Sequence, residues 1–154
     1  MPKIDIGSVP ERKGSGYPAP FHEPCATRVR KPLGDAGGLS DFGVNLLLLP
    51  PGAWSSQRHW HSGEDEFVYV LEGEVVMVTD KGEETLRAGD WAAFPKNLAD
   101  GHQLINRGTK PARVLEAGSR SHDDVCIYSD IDMKVDDTNG FTHKDGRPYP
   151  PREK

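Results

Sequence analysis

Between Ala26 and Tyr128, short apolar runs recur about every ten residues, and nearly every one is closed by Gly, Pro, Asn or Asp. FGVNLLLL (42–49) stops at Pro50, Pro51 and Gly52; EFVYVL (66–71) meets Glu72-Gly73; EVVMVT (74–79) meets DKGEE; WAAF (91–94) meets Pro95. No segment is long and periodic enough for a substantial helix, and strands of this length at this spacing build sandwiches and barrels. The 17 glycines and 13 prolines serve this punctuation. The predicted fold class is therefore all-β, with strands at 26–30, 42–49, 54–60, 66–71, 74–79, 85–86, 91–94, 102–106, 112–117 and 124–128.

A length of 154 residues suits one domain. Residues 1–25 are rich in Pro and Gly without apolar periodicity and read as an extended N-terminal arm. Residues 26–128 form the β-barrel domain, and residues 129–154 a polar tail with one short strand at Ile131 to Val135. The net charge of −5, without a Lys/Arg cluster, argues against nucleic acid as a partner. The run Leu46 to Leu49 is too short to cross a bilayer, and residues 1–20 lack the apolar block of a secretory signal, so a cytoplasmic protein without membrane attachment is expected. Cys25 and Cys126 match no CxxC or disulfide framework and read as small core side chains. His22, His122 and His143 read as ordinary solvated histidines.

The chemistry concentrates in PGAWSSQRHWHSGEDEFVYVLEGE (51–74), where His59, His61 and Glu66 lie within eight residues. On a strand, His59 and His61 point to one face, and an antiparallel return brings Glu66 over the two imidazoles. His102, on the later strand HQLIN, is a fourth candidate. Three imidazoles and a carboxylate suit one divalent transition metal, Fe, Mn, Ni, Co or Zn, without selecting among them. Four protein ligands on an octahedral ion leave about two positions for water or substrate. By alternation, Val68, Val70 and Leu104 share the inward face and form the pocket, while Trp60, Phe67 and Tyr69 face away. Asp100, two residues before His102, is a candidate to support a ligand or carry a proton, or else a turn residue in ADG. No phosphate loop, nucleophile elbow or cysteine with an adjacent histidine is present.

These residues resemble the two motifs of the cupin superfamily. Gly52, His59, His61, Glu66 and Gly73 follow the first, with one extra residue before His59. Gly89, Pro95, His102 and Asn106 follow the second, with Asn97 where the motif has an inner Gly and two extra residues in the loop before His102. The resemblance covers Phe42 to Tyr128 and implies a double-stranded β-helix, a jelly-roll barrel in which the four ligands converge, often assembled as a homodimer. It leaves three functions to weigh. One is a metal-dependent enzyme acting on a small oxygen-bearing metabolite, of dioxygenase, isomerase, decarboxylase or lyase type. Another is a non-catalytic metal-containing module that binds or senses a small molecule. The third is a structural metal, disfavoured because closed structural sites use thiolates.

Overall fold

All named strand pairs among the described residues, 3–151 of the computed structural model, are antiparallel, as short strands joined by tight turns require. In chain order the strands begin with β1 (Arg12–Lys13), β2 (Val29–Pro32), β3 (Phe42–Leu49), β4 (His59–His61), β5 (Glu66–Glu72) and β6 (Glu74–Thr79). They continue with β7 (Gly82–Arg87), β8 (Trp91–Phe94), β9 (Gln103–Ile105), β10 (Ala112–Ser119), β11 (Val125–Tyr128), β12 (Lys134–Asp136) and β13 (Gly140–Thr142). A single helical turn, α1 (Leu33–Ala36), follows β2.

One wall of the barrel is a six-stranded sheet in the order β1-β2-β3-β10-β5-β8. The other consists of β7-β6-β9 and β4-β11-β12-β13, joined where His59 and His102 face each other. There the two histidines exchange backbone hydrogen bonds, His59 N to His102 O at 3.1 Å and His102 N to His59 O at 2.8 Å. The two walls together make the double-stranded β-helix that the strand spacing and motifs imply.

The apolar core fills the barrel below the histidines. Leu47 and Leu49 of β3, Val68 and Val70 of β5, Val75 of β6, Leu86 of β7, Leu104 of β9 and Val114 of β10 pack there with Ala53 and Ala112. A second apolar cluster lies where the N-terminal segment meets the strands after β10: Tyr17, Cys25, Cys126, Tyr128 and Met133. Both cysteines are buried and free. Burying such side chains is worth about 1.5–3 kcal/mol each, which gives the terminal segments a reason to stay in place.

Several stretches differ from the expected strands. β2 begins at Val29 rather than Ala26, because residues 26–27 form a turn after a short 3-10 helix, and β7 begins at Gly82 rather than Thr85, so that part of the expected turn DKGEE is strand. Residues 54–58 are irregular apart from a single bridge between Trp54 and Ile105, because side chains take over the backbone's partners. Ser55 binds Leu104 through N and Oγ, and its carbonyl accepts from both Arg28 and Arg30. Near the C-terminus the strand begins at Lys134 rather than Ile131, since a tight turn places Tyr128 N on Met133 O and Met133 N on Ile131 O. A further strand, β13, extends the same sheet.

Candidate metal centre

Strand pairing explains why four distant side chains meet. His59 is the Cα partner of His102 on one side and of Tyr128 on the other, and His61 is partnered with Cys126. Two residues apart on β4, His59 and His61 turn their rings to the same face, with centroids 5.0 Å apart. The His102 ring lies 4.8 Å from that of His59. Glu66 opens β5 on the opposite wall and points its carboxylate into the three rings. Its Oε2 is 3.4 Å from His59 Nε2, 3.5 Å from His61 Nε2 and 2.8 Å from His102 Nε2.

The protonation pattern of these rings carries chemical information. His59 Nδ1 lies 2.8 Å from the Gln57 carbonyl, which can only accept, so the proton of a neutral ring sits on Nδ1. His61 Nδ1 donates in the same way to Asp124 Oδ2 at 2.6 Å. Both rings are thereby left with a bare Nε2 aimed at a carboxylate oxygen. Lone pairs facing one another in a half-buried site are satisfied by a shared proton or by a cation, and the donor set fits a divalent transition ion. A ring fixed through its other nitrogen by a carboxylate or carbonyl is the usual support for a metal-bound histidine. His59, Glu66 and His102 have ligand atoms within 4.8 Å of one another. His102 is held differently: its ring stacks on Phe94 with centroids 3.6 Å apart and planes 3° from parallel, and its buried Nδ1 has no hydrogen-bond partner among the described residues.

Burial works to raise the Glu66 carboxyl, but its hydrogen bond with His102 and the adjacent rings of His59 and His61 outweigh it and hold the group well below the usual carboxylate range. At His59 burial opposes protonation, yet Glu66 dominates and the ring is raised. At His102 burial prevails over Glu66 and the ring is lowered.

The cluster sits between two cavities. The larger, about 470 Å³, is lined by His59, His61, Glu66 and His102 together with Val68, Leu104, Tyr128 and Cys126. The smaller, about 340 Å³, shares His61, Glu66, Phe94 and His102 and is closed by Trp60, Met77 and Asp100. Val68 and Leu104 therefore stand where the alternation predicts. Val70 faces inward but is fully buried in the core and is not among the residues lining either cavity. Two residues further along β5 than Val68, it lies beneath the cavity floor. Trp60 was expected to face away, and instead it borders the smaller cavity. Asp100 shares that wall while its Oδ1 accepts a hydrogen bond from Asp80 N at 2.9 Å. Phe67, also expected to face away, is among the residues lining the larger cavity, and it stacks on the exposed Trp91 with centroids 5.9 Å apart.

Three neighbours of the cluster were not singled out from the sequence. Asp124 orients His61; Glu64 lies with Oε2 3.9 Å from His61 Nδ1; and Cys126 brings a thiol within ligand distance of His59 and His61. A period-two reading of 124–128 would have put Asp124, Cys126 and Tyr128 on one face. Which strand that face meets depends on pairing across more than sixty residues, which periodicity does not encode.

A jelly-roll barrel holding three imidazoles and a carboxylate at its open end defines a class of protein. The cupin domain family matches residues 45–118. Over 97% of its length and 97% of the other chain, this protein is 48% identical to a structure described as a sugar phosphate isomerase of the cupin superfamily from Silicibacter pomeroyi, with a TM-score of 0.90. The chain belongs to the cupin superfamily. Among curated proteins it is 35% identical over 98 residues to the tetracenomycin polyketide synthase protein TcmJ of Streptomyces glaucescens, covering 63% of each. It is also 37% identical over 60 residues to quercetin 2,3-dioxygenase of Bacillus subtilis, covering 39% of this chain and 18% of that enzyme. The chain thus spans less than two thirds of either curated relative. Among the described residues no helix is long and apolar enough to cross a membrane.

Proposed function

We propose that the protein is a metal-dependent cupin enzyme acting on a small oxygen-bearing metabolite, and that the reaction is isomerisation of a phosphorylated sugar. The observation that carries the metal dependence is the convergence of two bare imidazole nitrogens, the His102 ring and one carboxylate oxygen at the wall of a cavity of about 470 Å³. The choice of isomerase among metal chemistries is supported by the 48% identity to the Silicibacter pomeroyi protein over almost the whole chain.

His59, His61, Glu66 and His102 would hold the ion. A divalent ion so bound supplies Lewis acidity to a carbonyl or hydroxyl oxygen. The chain's own residues do the rest. Gln57 O and Asp124 fix the rings of His59 and His61. Phe94, Val68 and Leu104 wall the cavity with apolar surface that keeps water from the reacting carbons. Asn45, Ser55 and Ser56 place polar groups on the same wall, suited to substrate hydroxyls.

A second reading, a dioxygenase, is favoured by the local match to the quercetin enzyme. Purified protein loaded with Fe(II), Mn(II), Ni(II), Co(II) or Zn(II) and offered aldose phosphates should interconvert them with ketose phosphates, followed by NMR, without oxygen uptake. Conversion should cease on chelation. Oxygen uptake with catechols or flavonols in place of isomerisation would replace this reading with the second.

A further inference from the structure

The larger cavity carries a charge pattern that a metal centre does not require. Three guanidiniums, Arg12, Arg30 and Arg120, line it. Arg30 is neutralised in a two-bond pair with Glu116, at 2.7 Å and 2.9 Å. Arg12 and Arg120 instead converge on a single carboxylate. Arg12 Nη2 lies 3.1 Å from Asp35 Oδ2, and Arg120 Nη2 bonds Asp35 Oδ1. Two cations on one anion leave a net positive charge, and it stands at the solvent side, where the Arg12 and Arg120 side chains are 69% and 42% exposed.

A path free of side chains joins this charge to the cluster. Arg120 lies across Gly43, whose missing Cβ would be 3.5 Å from Arg120 Nη2. Gly43 is the Cα partner of Gly118, and Gly118 is the partner of Glu66, so the three stand in line across β3, β10 and β5. Both glycines line the cavity. Two strand spacings put Gly43 about 10 Å from the Glu66 backbone, a span that a sugar phosphate bridges end to end. A Cβ at 118 would come 3.6 Å from Glu66 Cγ and would obstruct the line.

We propose that Arg120 and Arg12 seat the phosphate of a phosphorylated substrate whose oxygen-bearing carbons lie over Gly118 at Glu66 and the histidines. The assignment rests on the sugar-phosphate reading above and adds the residues that select for the phosphate. Guanidiniums recognise phosphate oxygens through paired, charge-assisted hydrogen bonds. Asp35 offsets one of the two charges and leaves the other for a substrate anion.

The test uses the full chain, with binding of ribose 5-phosphate, ribose, ribonate and inorganic phosphate measured by calorimetry. Ribose 5-phosphate should bind at least about tenfold more tightly than ribose or ribonate, and inorganic phosphate should compete with it. Arg120→Gln and Arg12→Gln should each weaken ribose 5-phosphate about tenfold and leave ribose unchanged. Asp35→Asn, which frees both arginines, should tighten it, a gain that misfolding does not mimic. Equal affinity for ribose 5-phosphate and ribose, or variants that leave the phosphate compound unaffected, would overturn the proposal. Ribonate binding as tightly as ribose 5-phosphate would overturn its selectivity for phosphate. Because binding is read without turnover, an inactive protein that shows this pattern would count against isomerisation and not against the anion seat.

Discussion

The Asp124 carboxylate accepts the Nδ1 proton of His61 at 2.6 Å through Oδ2, while its Oδ1 accepts from Gly63 N at 2.7 Å. The residue that leads into β11 thus sets the tautomer of a ring on β4. In Asp124→Asn the amide oxygen can keep the Gly63 contact, but the amide nitrogen meets His61 Nδ1 as a donor and drives the proton to Nε2. Metal affinity should fall about 10- to 100-fold with little change in the melting temperature of the metal-free protein. Chelator-competition titration checks this, and unchanged affinity would remove Asp124 from the account.

Asn97 stands where the second motif has its inner Gly, and it adopts φ 60 with its N–H on His61 O at 2.8 Å. Asn tolerates this left-handed conformation better than other side chains do, so the substitution preserves the turn. Asn97→Gly should keep the fold, whereas Asn97→Val should lose about 1–2 kcal/mol in urea denaturation. Gly73 is stricter, because φ is 76 and a Cβ would fall 2.8 Å from Pro111 O. Gly73→Ala should cost more than Asn97→Val by the same measurement.

Much of the fold was legible because turn residues mark the strand ends. β3, β6 and β8 coincide with the runs 42–49, 74–79 and 91–94. The stretch 54–58 was not, since its backbone partners come from Arg28, Arg30 and Leu104, all remote in the chain. The ligand cluster was legible because the two-residue spacing of His59 and His61 fixes a shared face. Alternation gives a face but not a depth, which is why Val70 was grouped with Val68. The arginines on Asp35 lay beyond periodicity altogether, since Arg12, Asp35 and Arg120 meet only through the final topology.

Arg30 and Glu116 form a largely buried ion pair, and burial's tendency to lower the guanidinium's pKa is outweighed by Glu116, which raises it. Glu116→Gln leaves that cation without its counter-charge beside the Ser55 carbonyl. Loss of about 3 kcal/mol is expected, the low end for a buried pair because both side chains keep some solvent contact. Urea denaturation of the metal-free variant reads it, and a loss below about 1 kcal/mol would mean that solvent screens the pair as at a surface.

Arg58 bonds Asp130 through two nitrogens, at 2.8 Å and 2.6 Å, and these bonds hold the Asp130 carboxyl below its usual range. A depressed carboxyl contributes stability above its unfolded pKa of about 3.9 and loses it as pH falls through the folded value. The wild-type advantage over Asp130→Asn should therefore be present at pH 7, about 1 kcal/mol at most for so exposed a carboxylate, and should shrink toward pH 3. An advantage independent of pH would show that the charge of Asp130 is not what stabilises.

The central claim is tested most directly by titrating chelator-treated protein with Co(II), following both absorbance and calorimetric heat. One ion per chain should bind to the wild type, and His59→Ala, His61→Ala, Glu66→Gln and His102→Ala should each abolish or severely weaken that binding while far-ultraviolet dichroism stays unchanged. Stoichiometric binding that survives these substitutions, or no binding by the wild type, would contradict the account.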